Sequence, residues 1–191
     1  GYSSAASDVY KRQLLKVMAG VLKPYSGKVQ TKLHVAMLPQ TVQYLFTKDF
    51  VRDEVSMESA EKLGITALLD RHPLDLSGGE SRLLGLGVLL DTGADVLLLD
   101  EPTAGLDAIL KIQLAKQLQQ LCKSGKTVVL VTHDLEFAGR YADNVAFLCN
   151  RVLSKPEARR VFFSGMDLYT TPVRRMTRSY LQRAVSEDDL L

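Results

Sequence analysis

Apolar positions along the chain recur in two ways, and the change between them marks out its elements. Leu14, Leu15, Met18, Val21 and Leu22 return at helical spacing, which predicts a helix, and "KPYSG" then breaks it. A short strand is predicted at "LHVAMLPQ", ending at Gln40, and small helical segments at Asp53–Leu63 and Thr66–Leu69. "LSGGESRLLGLGVLL" opens another helix, closed by "DTG". Beyond it come a strand at Val96–Leu99, a long helix near Ala108–Cys122 and the turn "KSGK". The strand "TVVLVT", a short helix after His133 and a strand at "NVAFLC" complete the pattern. These strands are continuous apolar runs that alternate with helices, which predicts an α/β fold with a mostly parallel sheet covered on both faces. In such sheets ligands bind beyond the carboxyl ends of the strands. Gln40, Asp100–Glu101 and His133 stand just past three such ends, so they are expected to converge on one edge.

Composition narrows the class without changing the picture. A chain of 191 residues, 46% apolar and 24% charged, has room for one domain with a sizeable core, or one with a small insertion. A net charge of +2 gives no electrostatic case for nucleic acid as the main partner. Cys122 and Cys149 form no C-x-x-C pair, which fits a reducing compartment. No apolar run has the length needed to cross a bilayer, so a membrane would involve another subunit. The opening "GYSSAASDVYKRQ" is polar and lacks the apolar region of a signal peptide.

Chemistry enters at "VLLLDEPTAGLD", where an apolar run ends in two adjacent carboxylates. A buried strand gains nothing from an unpaired carboxylate, so something at that end must use the pair. Asp100 is suited to hold Mg²⁺ and Glu101 to orient an attacking water or accept its proton. In "LSGGE", Ser77 and Glu80 spell a capping box, while Gly78 and Gly79 leave backbone N–H groups bare of side chains. Such a helix start suits an anion, above all a terminal phosphate. His133 can donate to a phosphate oxygen and help hold the water, whereas His34 and His72 read as structural. Gln40 can reach both the metal's shell and the water. Asp107 is placed to cap the helix that follows it and to face a second subunit.

Together these residues resemble the nucleotide-binding domain of an ATP-binding cassette (ABC) protein over about Leu14–Leu148. "LPQ" is similar to the Q-loop, "LSGGE" to the signature, "VLLLDEP" to Walker B, "GLD" to the D-loop and "VTHD" to the H-loop. The resemblance implies a P-loop NTPase-like α/β fold with a short helical subdomain, and ATP and Mg²⁺ as cofactors. It implies catalytic roles for Glu101 and His133, and a metal held by Asp100 and Gln40. Gln40, Ser77, Gly78, Gly79, Glu80, Asp107 and His133 would serve the nucleotide. The implied partners are a second ABC ATPase domain, in a sandwich with ATP between one Walker set and the other signature, and transmembrane transporter subunits. That assembly would sit at the cytoplasmic face of a membrane. The tail "VFFSGMDLYTTPVRRMTR" resembles the end of energy-coupling-factor ATPases, closest to the second half of tandem forms. Such proteins power uptake of vitamins, their precursors or metal ions. Arg174, Arg175 and Arg178 in that tail read as a solvated helix face.

Two departures stand out. The segment 53–76 is short for the family's helical subdomain. In register with the family's G-K-[ST]-x-L-L, this chain reads Tyr10-Lys11-Arg12-Gln13-Leu14-Leu15, so the phosphate-binding loop is not spelled out. The expectation is therefore a non-native or disordered leader at 1–13, an N-terminally truncated ATPase domain at 14–150 and a C-terminal extension at 151–191. Such a chain would bind ATP poorly by itself. Two other readings remain open: a soluble, non-transporter ABC ATPase, and a non-catalytic half that donates its signature in trans.

Overall fold

No glycine or proline interrupts Ser4–Met18, and this stretch forms helix α1 in the computed structural model, which describes residues 4–149 and 151–165. Residues 4–13 of the stretch read as a non-native or disordered leader lie in this helix, where Ala5, Ala6, Lys11, Arg12 and Gln13 all favour helix. It also stops at Met18 and not at Leu22, as the chain turns through Gly20 at φ +74°. Leu15 is fully buried. The chain forms two units: Arg12–Val131, and Gly1–Lys11 together with Thr132–Leu191.

Arg12–Val131 is built on a parallel sheet of β1 (Val35–Leu38), β2 (Val96–Asp100) and β3 (Thr127–Val131), in that order. Leu38 lies opposite Leu99, Leu99 opposite Leu130, and Asp100 opposite Val131. Leu97, Leu98 and Leu99 of the central strand are 0% exposed, which is why that strand is apolar without alternation. After β1 the chain makes a 3₁₀ turn at Val42–Leu45. Helices α2 (Val51–Glu54) and α3 (Met57–Leu63) and 3₁₀ turns at Thr66–Leu68 and Pro73–Asp75 form the expected small helical segment. Helix α4 (Gly78–Asp91) packs against β1 and the turn after it, and α5 (Ala108–Lys123) against β3. Asp91, at the end of α4, accepts hydrogen bonds from the Ser56 N–H and from the Ser56 and Ser59 hydroxyls, each at 2.6 Å. Burial pushes the Asp91 carboxyl up, yet these hydrogen bonds outweigh it and hold the group below its ordinary range.

The second unit has its own small core. Helix α6 (Leu135–Tyr141) is capped by Asp134. Four two-residue strands follow: β4 (Asn144–Val145), β5 (Leu148–Cys149), β6 (Val152–Leu153) and β7 (Glu157–Ala158). β4 pairs with β7 and β5 with β6, both antiparallel, so "NVAFLC" is not one strand of the parallel sheet. The chain reverses through Arg151 at φ +66°, and its two arms satisfy each other's backbone groups. Helix α7 (Arg159–Gly165) brings Phe162 and Phe163 onto Ala138, with Leu135, Val145 and Phe147 around them. Arg159 ties the two helices together by donating to the Arg140 and Ala142 carbonyls. Arg174, Arg175 and Arg178 lie outside the described residues. Among the described residues, no helix is long and apolar enough to cross a membrane.

Candidate functional site

The carboxylate pair sits where the strand pattern places it. Asp100 is the last residue of β2 and is 3% exposed. Arg12 Nε stands 3.2 Å from Asp100 Oδ2, in an ion pair within the same unit. Glu101 follows in the left-handed region at φ 49°, its N–H donating to the Val131 carbonyl at 2.9 Å. A non-glycine residue pays roughly 1–2 kcal/mol for that conformation. It is held there by the sheet register on one side and by Pro102 and Thr103, both buried, on the other. Gln40 lies two residues beyond β1 and is exposed, at the same carboxyl edge of the sheet as Asp100.

The start of α4 is capped as the sequence predicts. The Ser77 hydroxyl accepts from the Glu80 N–H, and the Glu80 carboxylate accepts from the Ser77 N–H at 2.8 Å. Those bonds from Ser77, aided by Arg71 at 3.4 Å, hold the Glu80 carboxyl below its ordinary range. The two glycines differ. A Cβ on Gly78 would meet nothing within 4 Å, whereas one on Gly79 would lie 2.5 Å from Leu110 Cδ1 and 3.3 Å from Leu106 Cδ2. Gly78 therefore leaves the helix start open, and Gly79 lets the following loop and α5 close on it. Asp107 caps α5 by accepting from the Leu110 N–H at 2.8 Å.

One residue of this edge escaped the sequence reading. Arg82, on α4, interacts electrostatically with Glu101 and Asp100, and burial lowers its pKa against their pull. Its Nη1 is buried and has no hydrogen-bond partner among the described residues. The signal was available: Arg82 is the one charged residue between Glu80 and Asp91 in an otherwise apolar helix. His133 follows β3 by two residues and belongs to the other unit. There Lys11 Nζ donates to its Nε2 at 3.0 Å, and Tyr10 accepts from Arg151. Gln40, Asp100, Glu101, Ser77–Glu80 and Asp107 thus share one unit, and His133 belongs to the second.

A parallel sheet with a buried aspartate at its carboxyl edge, preceded in the chain by a capped, glycine-opened helix, is a P-loop NTPase type of α/β fold. A solved chain of CbiO1 from Clostridium perfringens, described as part of the ABC transporter complex cbiONQ, superposes with a TM-score of 0.75. It is 22% identical, with 91% of this chain and 80% of that one covered. The ABC transporter family profile matches residues 11–104. A relative named as an ABC transporter ATP-binding protein in Caldanaerobacter subterraneus subsp. tengcongensis is 33% identical over 171 residues, 72% of this chain and 71% of that protein. The chain belongs to the ABC transporter ATP-binding family. A Bacillus cereus relative of the same description is 35% identical over 208 residues, 94% of this chain. This chain spans only 38% of that relative's length.

The residues fit the family's two cofactors unequally. The open, capped start of α4 suits a phosphate. A divalent cation does not fit as the residues stand, because the Asp100 carboxylate is engaged by Arg12.

Proposed function

We propose that this chain is the ATP-handling part of an ABC ATPase subunit that works on the cytoplasmic face of a membrane. It would be paired with a second ABC ATPase domain and coupled to transmembrane subunits. The observation that carries this reading is Glu101, held left-handed directly after a buried aspartate at the end of the central strand. A strained glutamate at a strand's carboxyl end is costly as scaffold and useful for aiming a carboxylate at a reacting water. Glu101 orients that water and takes its proton. The capped start of α4, with Ser77, Gly78 and Glu80, meets the terminal phosphate of a nucleotide held by the partner. His133 keeps the catalytic role that its motif implies, Gln40 reports occupancy to the membrane subunits, and Asp107 faces the partner domain. Among transporters, an energy-coupling-factor importer of a vitamin, a vitamin precursor or a metal ion is the favoured type. The tail motif and the fold likeness to CbiO1 support it.

The test is turnover of the assembled ATPase pair carrying Glu101→Gln. ATP binding is expected to persist while the steady-state rate falls about 10²–10⁴-fold, the usual loss for a general base. Near-normal turnover removes Glu101 from the role.

One observation favours a second reading, a non-catalytic half that only donates its signature. Lys11 and Arg12, in register with the phosphate-loop Lys and hydroxyl, are engaged by His133 and Asp100 respectively. The start of α4 remains open at Gly78. Single-turnover hydrolysis by this chain alone, compared with the pair, separates the two readings.

A further inference from the structure

The carboxylate that this family gives to a divalent cation is matched here by side-chain cations. Asp100 is 3% exposed, so its charge must be balanced inside the protein. Arg12 Nε stands 3.2 Å from its Oδ2, and Arg82 on α4 interacts electrostatically with both Asp100 and Glu101. Two carboxylates therefore stand with two guanidinium groups, and the formal charge of these four groups sums to zero. A guanidinium keeps its charge at any pH the protein survives and has no lone pair to offer. At position 12 it can neither ligate a cation, as a Ser or Thr hydroxyl would, nor tolerate one nearby.

We propose that Arg12 is a built-in counter-ion that takes the place of a divalent cation on Asp100, so that a cation enters only when Arg12 is withdrawn. The pair is asymmetric in a way that suits withdrawal. The Arg12 side chain is 38% exposed and the Asp100 side chain 4%, and although the Arg12 Nε that meets the carboxylate is buried, the rest of the arginine reaches solvent while the carboxylate does not. Arg82, half-buried, remains as the permanent cation of the pair. This inference rests on reading Asp100 as the metal-side carboxylate.

The experiment is a Mn²⁺ titration without nucleotide, followed by the electron paramagnetic resonance signal of the free ion. It compares the unmodified chain, Asp100→Asn, Arg12→Thr and the double variant Arg12→Thr/Asp100→Asn. The unmodified chain is expected to leave Mn²⁺ free. Arg12→Thr should take up one Mn²⁺ with an affinity at least about tenfold higher, the least that removing an adjacent unit charge should yield. The double variant should lose that uptake. Saturable uptake by the unmodified chain that Asp100→Asn abolishes overturns the proposal, as does a folded Arg12→Thr variant that gains none. Should Arg12→Thr not fold, carbon NMR of the Asp100 carboxyl in the unmodified chain decides. No movement on adding Mg²⁺ supports the counter-ion, and a saturable shift overturns it. No nucleotide is present, so either failure leaves the ATPase reading to the Glu101→Gln test.

Discussion

At the residue scale, Asp91 shows how one carboxylate can organise two helices. It closes α4 while accepting three hydrogen bonds from Ser56 and Ser59, the residues that start α3. Its folded pKa lies below the ordinary value, so the stability it adds is fully present above the unfolded pKa, about 4. That stability is lost as pH falls through the lower folded pKa. Glu80, depressed by its bonds from Ser77, acts in the same direction. The urea midpoint is therefore expected to fall on acidification from neutral to below about pH 4. In Asp91→Asn it should start lower, by about 1–2 kcal/mol of stability, and fall less steeply. An Asp91→Asn chain with the same acid profile as the unmodified one would show that these bonds add nothing.

At the scale of the element, α4 is shaped by which of its glycines touch something. A Cβ on Gly85 would stand 2.9 Å from Leu38 Cδ1 and 3.3 Å from Val42 Cβ, and one on Gly87 2.8 Å from Val55 Cγ2. Those glycines let α4 press onto β1 and the helical segment; Gly78 presses on nothing. Gly→Ala within a helix gains up to about 1 kcal/mol of propensity, and overpacking a core costs about 1–3. Gly85→Ala is thus expected to lose up to about 2 kcal/mol, while Gly78→Ala should be neutral or slightly stabilising. Urea unfolding of both variants checks the contrast. The same geometry picks the substitution for testing the signature. A carboxylate at position 79 would collide with Leu110 before meeting any ligand, so its effect would mix packing with charge. Gly78→Asp enters open space in a helix's first turn, where an acid is favourable. It should leave the fold intact and abolish ATP-driven pairing with a partner domain. Pairing that proceeds as in the unmodified chain removes α4 from the partner's nucleotide.

At the scale of the whole molecule, the question is what this chain does with ATP alone. A phosphate loop works by curling successive backbone N–H groups around the anion, which needs glycines. Residues 5–12 contain none, and the described part of that stretch is helix. Helical N–H groups beyond the first turn are already bonded within the helix. Lys11 and Arg12 are further engaged with His133 and Asp100. Isothermal titration of the chain with Mg-ATP is expected to give a dissociation constant well above micromolar. A micromolar value, roughly −8 kcal/mol, would mean that another part of the chain supplies the phosphate grip.

The sequence by itself determined the elements whose signals are local. Continuous apolar runs named the three parallel strands, and Ser77 with Glu80 and Asp107 announced the starts of α4 and α5, because caps and periodicity act within a few residues. It likewise put Asp100 and Glu101 at a strand end, since an acid pair after an apolar run is visible without any partner. What the pattern could not reach depended on groups distant in the chain. Arg12 meets Asp100 across 88 positions, Arg82 interacts electrostatically with the same carboxylates from another element, and Gly79 differs from Gly78 only through Leu106 and Leu110. The split of "NVAFLC" into two antiparallel pairs was decided by strands further along that compete for its backbone. Periodicity records which face a residue turns inward; which group it meets there is set by packing, and only the tertiary structure holds that information.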